Sequence, residues 1–235
     1  MSSHSKLQQR AFEANRAIVQ AGLVVLTFGN VSCADRTEGV LAIKPSGVAY
    51  DELQPDAMVV VDLETAEIVA GEQRPSSDTP THLVLYRRFE EIGGIVHTHS
   101  PAATAWAQAG RDLPCLGTTH ADHFRGPVPV TRALAHEEIR GSYEELTGEV
   151  IVETFASGGL DPLETPAVLV ASHGPFAWGA DVERAVENAV ALEAVAGLAL
   201  QTLALKADVA SLDEELLERH FSRKHGPGAY YGQGR

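Results

Sequence analysis

Short apolar segments, each closed by turn residues, constrain the fold of this chain more than any other feature. They have the length and composition of β-strands, and residues such as Gly, Pro, Asp and Glu separate them. They lie at residues 23–35, 40–47, 58–63, 67–71, 93–100 and, as two strands around a His-Gly-Pro turn, 167–179. Because the first four follow one another without an intervening helix, the regular alternation of a Rossmann fold is absent, and a mixed α and β fold is predicted.

Helices are predicted before, between and after these strands. A helix at 75–89 has Ser77 or Asp78 as its candidate N-cap. Ser211 and Glu214 have the spacing of a capping box, which predicts another helix start. The remaining predicted helices lie at 6–21, after Ser100-Pro101, and at 181–206.

The charge and cysteine content exclude several classes of protein. The 235 residues carry 18 Lys and Arg against 32 Asp and Glu, a formal net charge of −14. Nucleic-acid binders normally have a basic face, so no nucleic-acid partner is expected. Cys33 and Cys115 form no CxxC pair, which fits a reducing compartment. No signal peptide or bilayer-spanning stretch is recognised, so we expect a cytoplasmic protein with no membrane partner.

Three histidines are candidate metal ligands. His97 and His99 are two residues apart on a predicted strand, so their side chains point to the same face. His173 lies at a strand end, before Gly174-Pro175. Three imidazoles with one open position are typical of a catalytic zinc site, although imidazole also binds other divalent metals. Taken alone, His-Thr-His also fits a half-buried strand. Asp78 is either a fourth ligand or a helix cap, and the two roles are compatible.

Three small polar segments are candidates for binding an anion. Lys-Pro-Ser-Gly at 44–47 ends one predicted strand, Pro-Ser-Ser at 75–77 precedes a helix, and Gly-Asn at 29–30 lies within or beside a third strand. Hydroxyls, N–H groups at a helix start and one lysine make a suitable phosphate site. Each segment alone is more typical of a turn. Because no Walker loop is present, a nucleoside triphosphate is not favoured.

Further acid–base candidates lie downstream. Asp122 ends the polar segment 118–122 and is either a proton carrier or a turn residue. The last sixteen residues include His220 and Tyr231. Chain ends usually fray, but a tail that crosses a subunit boundary could place a tyrosine in an active site.

In order and spacing, these motifs resemble the class II aldolase/epimerase family over residues 6–233. The segments that carry the resemblance are GNVS (29–32), IKPSGV (43–48), RPSSDTPTH (74–82), GGIVHTHS (93–100), GTTHAD (117–122), SHGPFAWG (172–179) and RKHGPGAYYGQ (223–233). The His-Thr-His motif alone is weakly specific, whereas the complete set is highly specific.

The resemblance implies an α/β fold. Residues 1–235 would form a single three-layer α/β/α domain around a mostly antiparallel sheet, and the C-terminal tail, 226–235, would contribute to the active site. Four chains would form a homotetramer with active sites at the subunit interfaces.

The resemblance also assigns roles to residues. His97, His99 and His173 would bind one divalent metal per subunit, with Asp78 completing or adjoining the site; Zn²⁺ is expected, with Mn²⁺ or Co²⁺ as alternatives. Asp122 and Tyr231, from a neighbouring subunit, would be the proton-transfer pair. The residues that would hold or adjoin the substrate are Asn30, Lys44, Ser46, Gly47, Ser76, Ser77, Thr118 and His220.

Within the family, the motifs match the epimerases. Similar aldolases place Glu after the serine pair, whereas this chain has Asp78. The implied reaction converts a phosphorylated ketopentose, L-ribulose 5-phosphate, into D-xylulose 5-phosphate by breaking and re-forming the C3–C4 bond. The alternatives are a class II aldolase that releases the aldehyde and a non-catalytic module that binds metal or sugar.

Overall fold

The computed structural model describes residues 4–230, which form a seven-stranded sheet with helices on both faces. The strands are β1 Asn30–Asp35, β2 Val40–Ile43, β3 Val59–Asp62, β4 Ile68–Ala70, β5 Gly94–His97, β6 Ala167–Leu169 and β7 Pro175–Gly179. The helices are α1 Ser5–Gln20, α2 Thr79–Arg88, α3 Pro101–Ala109, α4 Thr118–Ala121, α5 His136–Arg140, α6 Tyr143–Gly158, α7 Val182–Leu205 and α8 Glu214–His225. A short 3₁₀ helix lies at Pro55–Ala57.

The strand order β4-β3-β2-β1-β5-β7-β6 brings the candidate ligands to one place. Every neighbouring pair of strands is antiparallel. The register pairs Asn30 of β1 with His97 of β5, and His97 with Phe176 of β7. The start of β1 and the end of β5 therefore lie side by side in the middle of the sheet.

Successive side chains of each strand point to opposite faces of the sheet, so that each face has its own hydrophobic core. On one face, α1, α3 and α7 pack against residues such as Val31, Val60 and Ala177. On the other, α2 and α6 pack against Ile95 and Trp178 among others. This three-layer α/β/α arrangement confirms the predicted fold class.

Asn15 joins α1 to the strand that begins the site. Its side chain is fully buried, and its amide donates to the carbonyls of Ala11 and Val31. The Val31 N–H donates back to Asn15 Oδ1 at 3.0 Å. The side-chain amide of Asn15 thus pairs with both the N–H and the carbonyl of Val31, as the backbone of a neighbouring strand would.

Three local predictions differ from the structure, and one is the strand expected at 93–100, of which β5 spans only Gly94–His97. The strand expected from residue 23 begins only at Asn30, because Leu26 and Gly29 have left-handed φ values of 55° and 97°, which turn the chain. The predicted capping box at 211–214 is also wrong. Asp213 caps α8 instead, where its carboxylate accepts from the N–H groups of Glu215 and Leu216.

Among residues 4–230, α7 is the one helix whose length and apolar composition would allow it to cross a membrane. It packs against β5 and β7, and a row of its residues that includes Ala185, Leu192 and Ala196 is buried in the core. One side of α7 therefore belongs to the hydrophobic core that covers this face of the sheet.

Candidate active site

The three histidines meet at one end of the central strands. His97 is the last residue of β5, His99 follows just beyond the strand, and His173 lies in the turn between β6 and β7. The Nε2 atoms of His97 and His99 are 3.2 Å apart, and one ring nitrogen from each of the three lies within 4.8 Å of the others. The structure thus brings all three predicted metal ligands together.

The orientation of His97 is fixed by its neighbours. Its Nδ1–H donates to the Pro175 carbonyl at 2.9 Å, because a carbonyl can only accept. The Phe176 ring stacks on the imidazole at 4.1 Å between centroids. With the proton on Nδ1, the Nε2 lone pair of His97 is directed towards the other two histidines and is available to a metal.

The protein environment keeps these imidazoles neutral. Burial lowers the pKa of His97 to about 3 and also lowers the pKa of His99. For His173, burial and the neighbouring His99 lower the pKa. Because a metal binds only the neutral imidazole, these shifts prepare the cluster for a cation at neutral pH.

Asp78 lies beside the histidines, and its carboxylate does not cap α2. It occupies the N-cap position, but its side chain makes no cap hydrogen bond. Asp78 Oδ2 instead accepts from Asn30 Nδ2 at 2.6 Å. Burial alone would raise the pKa of Asp78, but nearby His97 and His82 and the Asn30 bond lower it below its ordinary value. The carboxylate is therefore ionised, although it is not itself part of the three-nitrogen cluster.

These residues fit a divalent transition-metal ion. Among residues 4–230, Nδ1 of His173 is buried without a hydrogen-bond partner, and Nε2 of His97, which carries no proton, faces His99 Nε2 at 3.2 Å. Three neutral imidazoles near one carboxylate form a donor set typical of catalytic zinc, and the set also suits other divalent transition metals.

Three chain segments form a polar cradle next to the cluster. Ser76 N–H donates to the Lys44 carbonyl, and Ser46 N–H donates to the Arg74 carbonyl, each at 2.9 Å, so that the 44–47 and 74–77 segments are held together. Asn30 Nδ2 contacts Ser76 Oγ at 3.1 Å and links β1 to both. We use "anion cradle" for Asn30, Lys44, Ser46, Gly47, Ser76 and Ser77.

The anion cradle and the histidine cluster line a single cavity of about 360 Å³. Ten of the predicted site residues face it, namely the six of the cradle with Asp78, His97, His99 and His173. Lys44 is the only Lys or Arg along its wall within the described part of the chain. The cavity therefore combines a place for a cation with a place for an anion.

The family assignment follows from a match that covers most of the chain. The sequence model of the family described as "Class II Aldolase and Adducin N-terminal domain" matches residues 9–200. The chain belongs to the class II aldolase and adducin N-terminal domain family.

Solved structures share the fold of this class II aldolase family member. An L-fuculose 1-phosphate aldolase is 24% identical and has a TM-score of 0.78, with 95% of this chain and 97% of that chain covered. YgbL from Escherichia coli, titled a putative aldolase/epimerase/decarboxylase, is 23% identical, with a TM-score of 0.72 and coverage of 93% and 99%. An l-fuculose-1-phosphate aldolase from Thermus thermophilus is 24% identical, with a TM-score of 0.65 and coverage of 88% and 99%.

The cavity of this class II aldolase family member has further wall residues that the sequence analysis missed. Phe28 lies with its ring centroid 5.8 Å from that of His99, and Tyr143 lies 6.4 Å from His173. Glu144 also lines the cavity. Ser142 followed by acidic residues has the pattern of a helix start and could have indicated α6. Nothing in that pattern shows that the helix begins beside the histidines.

The other predicted residues form a second cluster, outside this cavity. Asp122 accepts from Arg223 Nε at 2.9 Å and Nη2 at 2.7 Å, and from His220 Nδ1 at 3.1 Å. Thr118 begins α4, and its carbonyl accepts from the Asp122 N–H. Within one chain, Thr118, Asp122 and His220 do not line the cavity that the histidine cluster and the anion cradle share. Their place in an active site stays a prediction for an assembly of several chains.

The Asp122 carboxylate is held ionised. Burial alone would raise its pKa, but the hydrogen bonds from Arg223 and His220 outweigh burial and lower the pKa below its ordinary value. Tyr231, the predicted partner of Asp122 in proton transfer, lies outside the described residues, as does the second half, 231–235, of the tail predicted to contribute to the site.

Proposed function

We propose that this class II aldolase family member is a metal-dependent epimerase that converts L-ribulose 5-phosphate into D-xylulose 5-phosphate. The observation that carries the proposal is the shared cavity, in which the histidine cluster lies beside the anion cradle. A phosphorylated ketose needs both, because its carbonyl end reacts while its phosphate end is held.

The chemistry of the substrate explains why a metal is needed. The two sugars differ only at C4, whose hydrogen is not acidic, so direct proton removal there is unfavourable. Breaking the C3–C4 bond avoids this step. A divalent metal held by the histidines, Zn²⁺ in this proposal, supplies Lewis-acid stabilisation for the negative charge that develops on the three-carbon fragment.

The chain's own residues direct the remaining events. A base takes the proton of the C4 hydroxyl, the C3–C4 bond breaks, and glycolaldehyde phosphate and a three-carbon enediolate result. Lys44 and the cradle hydroxyls keep the aldehyde bound through its phosphate. After the aldehyde has turned, the carbon–carbon bond forms on its opposite face, and the new C4 oxygen receives a proton.

Asp122 and Tyr231 are the proposed proton carriers, one for each face of the aldehyde. The Asp122 carboxylate is ionised and can therefore accept a proton. Because Asp122 lies outside the cavity of its own chain, we propose that it serves a neighbouring chain in a cytoplasmic homotetramer. Thr118 and His220 would accompany it there.

The direct test is a coupled assay for D-xylulose 5-phosphate, with and without added zinc or manganese. We expect turnover that chelation abolishes and that a divalent metal restores. Turnover that is unaffected by removal of all metal would refute the mechanism.

Three variants separate the proposed roles. His97→Asn should lose both bound metal and activity. Asp122→Asn and Tyr231→Phe should each lower turnover by about 10²–10⁴-fold, the usual contribution of a proton-transfer group, while the metal content stays normal. Unchanged turnover in both of these last variants would remove the proton-carrier roles.

A sugar-phosphate aldolase is the alternative, because two of the three solved structures described above are titled fuculose phosphate aldolases. An aldolase would release glycolaldehyde phosphate from L-ribulose 5-phosphate, whereas the epimerase retains it. Trapping free aldehyde with an alcohol dehydrogenase and NADH distinguishes the two. Release that is stoichiometric with substrate consumption would favour the aldolase.

A further inference from the structure

Tyr50 lies behind the anion cradle and contacts two of its segments. It is half-buried and is not part of the wall of the metal cavity. Its hydroxyl donates to the Gly29 carbonyl at 2.8 Å. Burial raises the pKa of this hydroxyl, so it stays a neutral donor. The bond fixes the Gly29–Asn30 peptide, from which the Asn30 side chain extends into the cradle.

The Tyr50 ring contacts the cradle's cation. Lys44 Nζ lies 4.8 Å from the ring centroid, within the range of a cation–π interaction. Lys44 is only 2% exposed, and its Nζ donates to the Val48 carbonyl at 2.6 Å. Among residues 4–230, no carboxylate forms an ion pair with it. The Tyr50 ring and the carbonyls of Val48 and Pro45 thus hold the ammonium in place but leave its charge uncompensated.

Together these contacts make Tyr50 a link between two segments of the cradle, Gly29–Asn30 and the segment that begins at Lys44. Gly29–Asn30 lies at the start of β1, and Lys44 directly follows β2. The side-chain amide of Asn30 also donates to Ser76 of the third segment. A phosphate that is bound by both segments binds most tightly when the segments are already in position.

We propose that Tyr50 is a positioning residue of the anion cradle, whose hydroxyl fixes Gly29 and whose ring holds the Lys44 ammonium before the phosphate group arrives. This inference rests on the proposed function only in that it takes the cradle to bind phosphate. Tyr50 itself does not line the cavity that contains the histidine cluster.

The experiment titrates inorganic phosphate into the zinc-loaded protein by calorimetry. Tyr50→Phe keeps the ring but loses the bond to Gly29, and it should raise the phosphate Kd about 3- to 10-fold, as expected for one hydrogen bond. Tyr50→Leu also loses the cation–π contact and should raise the Kd further. Lys44→Met gives the reference value for a cradle without its cation.

Tyr86→Phe is the matched control. Tyr86 is another buried tyrosine with a hydroxyl bond, to Ser32 Oγ at 2.9 Å, but it lies in the core beneath the opposite face of the sheet. The Tyr86→Phe variant should lower the urea unfolding midpoint at least as much as Tyr50→Phe does and leave the phosphate Kd unchanged. In the epimerase assay, Tyr50→Phe should raise KM for the sugar phosphate, with kcat and zinc content preserved.

The outcomes separate this inference from the proposed reaction. Weakened phosphate binding in the Tyr50 variants supports the positioning role even if the protein proves to be an aldolase. Wild-type phosphate affinity in Tyr50→Phe and Tyr50→Leu would overturn the inference. An equal loss in Tyr86→Phe would also overturn it, as would a wild-type protein that binds no phosphate at all.

Discussion

Gly29 offers the sharpest test of how closely the strands pack around the histidine cluster. Its φ of 97° is one that side chains rarely adopt. A Cβ added there would lie 2.7 Å from the His97 carbonyl oxygen and 3.2 Å from Thr98 Cα. Both neighbours are backbone atoms of the segment that carries His97 and His99, so neither can rotate away.

The size of the effect follows from two contributions. The left-handed backbone costs a residue with a Cβ about 1–2 kcal/mol. Overpacking against fixed backbone adds about 1–3 kcal/mol. Gly29→Ala should therefore lower the free energy of unfolding by about 2–5 kcal/mol. Because the shift would move His97, zinc affinity should fall as well.

Gly22→Ala is the matched control, because Gly22 has a φ of 73° and a Cβ added there would have nothing within 4 Å. It should show only the backbone contribution, about 1–2 kcal/mol, and normal zinc affinity. Urea unfolding of the metal-free proteins and competition with a zinc chelator measure both quantities. If Gly29→Ala were no more destabilising than Gly22→Ala, the close approach of Gly29 to the ligand segment would be refuted.

Two further predictions concern stability. Burial lowers the pKa of His82 and His120 to about 4. Below about pH 6.5, the ordinary pKa of histidine, the unfolded chain therefore binds more protons than the folded protein. Each residue contributes up to about 3 kcal/mol to the free energy of unfolding, which is present above about pH 6.5 and lost as the pH falls towards 4. Urea unfolding of the metal-free protein at pH 7.5 and 4.5 should show this loss, and His120→Gln should reduce it; equal stability at both pH values would contradict it. Asn15→Leu leaves the N–H and carbonyl of Val31 unpaired in the core, and urea unfolding should show a loss of about 2–5 kcal/mol; a loss below 1 kcal/mol would show that these groups find other partners.

The features of this protein that could be predicted are those that depend on local patterns of residues. The strands were predictable because short runs of β-branched and apolar residues end at turn residues. The histidine cluster was predictable because His97 and His99 share one short segment and His173 precedes a Gly-Pro turn. Even there, the pattern gave the wrong detail, since β5 ends at His97 and leaves His99 in the connection that follows.

The rest depends on contacts between distant parts of the chain. Asp122 and Arg223 are 101 residues apart, yet a bidentate bond joins them. Tyr50 meets Gly29 across 21 residues, and both lie in irregular segments without a periodic pattern. Tyr143 reaches the cavity because α6 packs against α2. Such contacts are set by tertiary packing, which residue spacing does not encode.

The charges along the cavity wall link its two halves. Lys44 contributes one positive charge, whereas Asp78 and Glu144 each contribute a formal negative charge, and the three imidazoles are neutral. The protein side chains alone therefore give the cavity a formal charge of 1 − 2 = −1, within a chain whose net charge is −14. A phosphate dianion would be repelled by that balance, and a divalent cation at the histidines would change it to +1. Metal binding and phosphate binding must then favour each other, since each ligand improves the electrostatic environment of the other.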